Sequence, residues 1–341
     1  MAHAAPAVRA LTTGTVVLGG TGFIGSHLAE RLARNAEVTV VSTKGSWPWR
    51  EFPPGIRFVS LDLAAPDGQR ALDGVLAQAT RVINLIGALA RASTPSHRYT
   101  RLHVDAVHRI MTALAASRVR RSRLIHVSTT GVLGPTGTTP RDEEAPPRPG
   151  NLYERTKLEG ETIALAGRRP AREVVIVRPG LVYGPRDLHL LAWFRAIAGG
   201  TYRPISKGRA TWQPIFVDDV ARGIERALEI PAADGQTFHL AGVERVTVAE
   251  LGARIARALD KPPPRASVPY PLAMAAGALF EAAYGTWKSD PPLTRARVRT
   301  MTEDRVYAID RAARLLAFHP AIRLDEGVPR AVAWYRSQGL L

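Results

Sequence analysis

An apolar run, Val16-Val17-Leu18, breaks into glycines at positions 19, 20, 22 and 25, and a helical pattern follows at once. Glycine permits a tight turn and lets a ligand approach bare backbone N–H groups, while the helix start behind it carries partial positive charge. A strand, a glycine turn and a helix in succession can therefore cradle a pyrophosphate. Two spacings fit. Gly19, Gly22 and Gly25 form G-x-x-G-x-x-G, and Gly20, Gly22 and Gly25 form G-x-G-x-x-G. The competing reading is a tight structural turn that holds nothing.

The rest of the chain decides between them by rhythm. "EVTVVS", "IRFVSLD", "RVINLIGA", "RLIHVST" and "EVVIVRPG" are apolar runs of strand length, and helical patterns separate several of them, over roughly 100–117 and at "LYERTKLEGETIAL". Strands apolar on both faces, alternating with helices, predict an α/β fold with a doubly wound parallel sheet of Rossmann type. After about residue 185 helical patterns dominate, with short strand candidates at "PIFV" and "TFHLAG". The expected division is a loose tail over 1–12, a dinucleotide-binding domain over 13–185, and a smaller, mostly helical substrate-binding region over 186–341, some of whose segments return to the sheet.

Composition narrows the partners. The chain has 341 residues, 45% of them apolar, enough for a sizeable core. It has no cysteine, so disulfides and thiolate metal sites are excluded and no metal is expected. The net charge is +16, yet only five of the 46 cations are lysines, and the arginines are spread along the whole chain. Dispersed arginine reads as a solvated surface rather than a nucleic-acid footprint. It leaves room for weak attraction to anionic substrates or a membrane surface. The N-terminus lacks the apolar core of a signal peptide, and a cytoplasmic location is expected. The most apolar stretch, 268–287, is opened by prolines and interrupted by Glu281, and reads as an amphipathic or buried helix rather than a membrane span.

Three places carry chemistry. The second strand ends in Ser42-Thr43-Lys44 where an acid would hold a ribose 2′-hydroxyl, and two hydroxyls with a cation suit a 2′-phosphate better. NADP(H) is therefore favoured over NAD(H), against the alternative that Lys44 points into solvent. Asp62 is placed to accept from an adenine amino group; its alternative role is a helix N-cap. Tyr153 and Lys157 lie four apart on one predicted helix, so a lysine cation there would lower the phenol's pKa for proton transfer. Ser128, Thr129 and Thr130 end the preceding strand, where a hydroxyl could hold a substrate oxygen against Tyr153. Ser128 also suits capping of the strand end.

Together "GGTGFIG" (19–25), "STTGVLG" (128–134), "YERTK" (153–157), "VRPGLVYGP" (177–185) and "FVDDVARGI" (216–224) resemble the extended short-chain dehydrogenase/reductase family, the NAD(P)-dependent epimerase/dehydratase group. The C-terminal part resembles its 3β-hydroxysteroid or sterol dehydrogenase and dihydroflavonol reductase branches. The resemblance implies Thr129, Tyr153 and Lys157 as catalytic residues, with Lys157 also reaching the nicotinamide ribose. It further implies that Phe23 and Ile24 in the glycine turn, Leu63 beside Asp62, Ile86-Gly87 after the fourth strand, and Pro179 after the sixth contact the dinucleotide. Leu18 and Leu133 replace a usual Thr and Tyr, and His103 stands where the family has a helix asparagine. Thr130-Gly131 replace the Asp-Glu of the dehydratases, so 4,6-dehydration is not expected. The implied activity is NAD(P)H-dependent interconversion of a ketone and a secondary alcohol on a bulky apolar small molecule, in a homodimer. The alternatives are a nucleotide-sugar epimerase with retained NAD, for which Arg186 and Arg209 could serve the diphosphate, and a non-catalytic dinucleotide sensor.

Overall fold

The computed structural model describes residues 14–44, 47–49, 54–63, 65–88, 94–284 and 291–341; the expected tail over 1–12 lies outside them. The first half alternates strands and helices. It runs β1 (Gly14–Leu18), α1 (Phe23–Ala33), β2 (Val38–Ser42), β3 (Ile56–Ser60), α2 (Gly68–Leu76), β4 (Ala79–Asn84), α3 (Ser96–Thr100), a π-helical turn (Arg101–Asp105), α4 (Ala106–Ala116), β5 (Ser122–Val127), α5 (Leu152–Ala166) and β6 (Arg172–Pro179). The second half contributes β7 (Val182–Tyr183), α6 (Leu191–Ala198), β8 (Thr211–Trp212), β9 (Ile215–Phe216), α7 (Val217–Glu229), β10 (Thr237–Leu240) and β11 (Val246–Thr247). It ends in helices α8 (Val248–Ala258), α9 (Tyr270–Tyr284), α10 (Arg295–Thr302), α11 (Asp310–Leu316) and α12 (Leu324–Ser337).

Seven strands form one parallel sheet in the order β10-β6-β5-β4-β1-β2-β3. The order reverses between β1 and β4, and a crevice opens beyond the carboxyl ends of strands at such a reversal. Side-chain alternation feeds two cores. Val17, Val40, Ile83, Ile125 and Val175 face Leu28 of α1 and Ile224 of α7. Val16, Val41, Val82, Leu124 and Val174 face Leu72 of α2 and Ile110 of α4. Both faces are covered, which is why these strands read as continuous apolar runs. A separate core around Phe194, Trp212, Leu251 and Tyr335 holds the second half together. The segment "TFHLAG" forms β10, which pairs with β6 and so returns to the main sheet.

Among the described residues, no helix is long and apolar enough to cross a membrane. The expectation of an amphipathic or buried helix over 268–287 needs correction. Within it, α9 buries only Ala273 and Gly277, and the face it leaves in solvent is apolar too.

Candidate active site

The glycine turn builds one wall of the crevice. Gly19 adopts φ +77°, and a Cβ there would come within 2.9 Å of the Leu85 carbonyl after β4. A Cβ on Gly25 would stand 2.5 Å from the Gly19 oxygen, so Gly25 lets α1 pack directly beneath the turn. Gly22 differs: a Cβ there would meet only the Gly19 oxygen, at 3.2 Å. Gly20 sits against the Val40 side chain of β2. Packing thus requires glycine at 19, 20 and 25, while Gly22 leaves the cleft side of the turn open, so both spacings are used.

A cleft of about 700 Å³ opens from this turn. Gly19, Gly22, Ser42, Thr43, Lys44, Asp62, Leu63, Ile86 and Gly87, all expected to contact a dinucleotide, line it. Phe23, Ile24, Gly25, Tyr153, Lys157 and Pro179 do not. Phe23 and Ile24 turn their side chains into the apolar cores from the first turn of α1. Pro179 ends β6, and its carbonyl accepts a hydrogen bond from Thr130 at 3.3 Å. Asp62 is exposed on the cleft, and Asp67 takes the N-cap position of α2, so the capping alternative for Asp62 falls.

Ser42 is turned inward. Its hydroxyl lies 2.6 Å from that of Thr21 and accepts the Lys44 N–H at 3.1 Å. Thr43 and Lys44 are the exposed members of the trio. Arg98 and Arg101, one helical turn apart, add cations to the rim and were missed in the sequence. Their only signal was i, i+3 spacing at the start of a helix, which any solvated face shows. Arg186, offered for a diphosphate, is engaged elsewhere: it pairs with Glu30 at 2.7 Å and lies over the Trp49 ring.

The end of β5 and the start of α5 make a second wall of the candidate site, set apart from the residues that line the cleft. Asn151 caps α5, accepting from the Glu154 N–H at 2.9 Å, and Glu154 accepts from the Gly150 N–H at 2.6 Å. This double cap fixes the helix start that carries Tyr153. Of the three hydroxyls after β5, Thr129 is the one whose interaction pulls the Tyr153 phenol's pKa down. Thr129 also accepts the Gly131 N–H at 3.1 Å, heading a short 3-10 turn over Thr130–Leu133. Thr130 points to Pro179, and the Ser128 hydroxyl has no hydrogen-bond partner among the described residues. The capping expected of Ser128 therefore belongs to Thr129.

Lys157 shares the helix face with Tyr153, but its ammonium donates to the Val127 carbonyl at 2.6 Å. Burial pulls its pKa down to about 8, with Glu161, one turn on, acting in the opposite sense. Burial pushes the Tyr153 phenol up to about 12, while Thr129 pulls it down. The expected depression of the phenol's pKa by Lys157 is thus absent here, since desolvation outweighs every opposing contact. Glu161 is itself held by Arg178 in a buried bidentate pair at 2.7 and 2.9 Å, which locks α5 onto β6.

His103 joins the two walls. The π-helical turn carries it into the interior, where it is 1% exposed. Its Nε2 accepts the Ala88 N–H at 3.1 Å, so the neutral ring donates from Nδ1 to the Thr156 hydroxyl at 2.9 Å. Its ring also stands edge-on to Tyr153, with centroids 5.4 Å apart. Burial, then the Lys157 cation, lower its pKa to about 3. It thereby ties the segment after β4, which lines the cleft, to the helix of Tyr153. Beneath it, Asn84 donates to the Nδ1 of buried His126 at 3.1 Å and accepts the Ile86 N–H at 3.0 Å. Among the described residues no cluster of side chains could hold a metal ion.

Residues 15–241 match the model of the NAD dependent epimerase/dehydratase family. A curated relative, the N-acetyl-alpha-D-glucosaminyl-diphospho-ditrans,octacis-undecaprenol 4-epimerase of Escherichia coli O157:H7, is 24% identical over 78% of each chain. The decarboxylating sterol-4-alpha-carboxylate 3-dehydrogenase of Candida albicans is 24% identical over 94% of this chain and 96% of its own. Among solved structures, UDP-glucuronic acid 4-epimerase from Bacillus cereus, in complex with NAD, superposes with a TM-score of 0.75 at 19% identity. That match covers 95% of this chain and 99% of the other.

Proposed function

The chain belongs to the NAD-dependent epimerase/dehydratase family of extended short-chain dehydrogenase/reductases, and on that premise we propose that it is an NADP(H)-preferring reductase of a bulky, apolar ketone. The observation that carries this reading is His103, which bonds Ala88 on the cofactor-side segment and Thr156 on the helix of Tyr153, and whose ring stands edge-on to that phenol. A dinucleotide suits the cleft: a Cβ at Gly22 has little in its way but space, and Lys44, Arg98 and Arg101 face it with positive charge. When bound, the nicotinamide supplies or accepts the hydride.

The roles of the chain's own groups follow from their chemistry. A buried phenol with a pKa near 12 holds its proton at neutral pH, which suits donation to a carbonyl oxygen as that oxygen gains charge. Thr129 orients the same oxygen. Lys157 holds the end of β5, just before Thr129, through the Val127 carbonyl, and its remaining N–H groups suit a ribose hydroxyl. Thr43 and Lys44, exposed on the cleft, are the contacts we assign to a 2′-phosphate, with Ser42 holding their backbone in place. The region from 186 onward is proposed to enclose the substrate. Likeness to a sterol dehydrogenase over almost the whole chain supports an apolar substrate.

A second reading, a sugar epimerase with retained NAD, draws support from the likeness to two 4-epimerases. One experiment separates the two. Purified protein is denatured and the released nucleotide assayed, while NADPH consumption is followed with ketosteroids, flavonoid ketones and polyketide quinones, and UDP-sugars are screened in parallel. Empty protein that oxidises NADPH with a ketone supports the reductase. Stoichiometric NAD with turnover of a UDP-sugar overturns it.

A further inference from the structure

Helix α9 is apolar all round. Its fifteen residues carry one charge, Glu281, which Arg295 of α10 takes up through its backbone N–H at 2.8 Å and its side chain at 2.6 Å. One side is seated: Ala273 and Gly277 are buried, and Gly277 approaches the α10 backbone so closely that a Cβ would stand 3.0 Å from the Arg295 nitrogen. The other side is bare. Leu272 is 63% and Leu279 71% exposed, Tyr270 is 39% exposed, and Ala275, Ala282 and Ala283 lie open beside them. Positions 272, 275, 279 and 282 follow helical spacing, so these side chains form one stripe. A helix without a polar face is ordinarily covered. No described residue covers this one.

The surroundings say what would. Three segments meet at α9: the run 203–210, whose Ile205–Ser206 backbone bonds Val268 just before the helix; the run 261–269 that leads into it; and α10. None of them contains an acid. Together they expose Arg203, Lys207, Arg209, Arg265, Arg297 and Arg299. An apolar stripe collared by arginine fits an anionic lipid surface, where acyl chains receive the leucines and headgroup phosphates receive the cations. A second copy of this chain would bring two positive collars together, which is unfavourable.

We propose that α9 and its arginine collar dock the protein on anionic membranes, without crossing them. The site's position gives this a consequence. Helix α10 runs into the segment Glu303–Tyr307, whose Arg305 reaches Glu154, the neighbour of Tyr153, at 3.6 Å. The docking face and the helix of Tyr153 are thus joined through one continuous segment. The docking proposal stands whichever substrate the site takes.

The test is co-sedimentation with vesicles of phosphatidylcholine alone and of phosphatidylcholine mixed with phosphatidylglycerol. The unmodified protein is expected on the mixed vesicles only, and less of it as salt rises. Leu272→Gln with Leu279→Gln should cut the bound fraction at least roughly tenfold at unchanged melting temperature, because both side chains are already in solvent. Arg297→Glu with Arg299→Glu should do the same. Four results overturn the proposal: no binding of the unmodified protein, equal binding to both vesicle types, full binding by the leucine pair, or a dimer that the leucine pair converts to monomer.

Discussion

The two walls of the proposed site, the cleft and the β5–α5 side, are held by opposite means. The proposed nucleotide wall is mostly backbone: glycines at 19, 20 and 25 set its shape, Gly22 keeps it open, and its chemistry-bearing side chains, Thr43, Lys44 and Asp62, are exposed. The proposed catalytic wall is mostly buried side chain: Glu161 pairs with Arg178, Lys157 bonds the Val127 carbonyl, His103 bonds Ala88 and Thr156, and only Thr129 and Tyr153 are partly exposed. A backbone wall presents donors to any dinucleotide at no side-chain entropy. A side-chain wall fixes one phenol in one place and is sensitive to each member. Changes to the first should therefore alter affinity, and changes to the second should alter turnover.

The largest expected effect is a change that crosses both walls. Lys157→Met removes a buried cation that holds the end of β5 and, in our proposal, serves the ribose. Turnover should fall by roughly 10²–10⁴-fold and cofactor affinity should drop with it. A loss confined to affinity, seen in steady-state kinetics with fluorescence titration, would place Lys157 on the nucleotide wall alone. Gly22→Val comes next. The branched side chain enters the cleft rather than the core, so NADPH affinity should fall by at least roughly tenfold while the melting temperature moves little. Unchanged affinity would mean that the phosphates sit elsewhere.

Acid should distinguish the walls without substitution in the first of them. Burial lowers the pKa of His103 and of His239 to about 3 and that of His126 well below its usual value. The unfolded chain protonates these rings below about pH 6.5, whereas the folded chain does not. Their contribution is complete above pH 6.5 and is lost as the pH falls toward 3, at about 1.4 kcal/mol per pH unit for each ring. Urea unfolding across this range should show that slope, and His103→Asn should reduce it by one ring's share. An identical slope in the variant would show that His103 is not neutral in the fold. The smallest effect is on cofactor choice. Ser42→Asp adds a carboxylate beside Thr43 and Lys44, and NADH should then bind more tightly than NADPH by a few-fold. Tighter NADH binding by the unmodified protein would remove the basis for NADP(H) preference.

The contrast also explains what could be read from the sequence. The glycine turn is local: a strand, a turn and a helix within residues 14–33 leave a periodic signature, and the spacing of its glycines survives in the fold. Most of the sheet was legible for the same reason, since strands buried on both faces are continuous apolar runs. The catalytic wall is non-local. Tyr153 and Lys157 were visible as an i, i+4 pair, but the partner of Lys157, the Val127 carbonyl, lies on another element and carries no side-chain signal. Likewise nothing in "HVDAV" shows that a π-helical turn swings His103 between Ala88 and Thr156. Helix α2 escaped notice because its apolar face is brief. The expectation for α9 failed because an apolar pattern implies burial only when something is present to cover it.

The central claim is that Tyr153 delivers the proton while the cofactor is held elsewhere. Tyr153→Phe keeps the ring against His103 and removes only the hydroxyl, so it is the most direct test. Single-turnover rates with saturating NADPH, beside the NADPH dissociation constant, should show the rate down by roughly 10²–10⁴-fold and the constant nearly unchanged. Full turnover by the variant, on whichever ketone the unmodified protein reduces, would contradict the assignment.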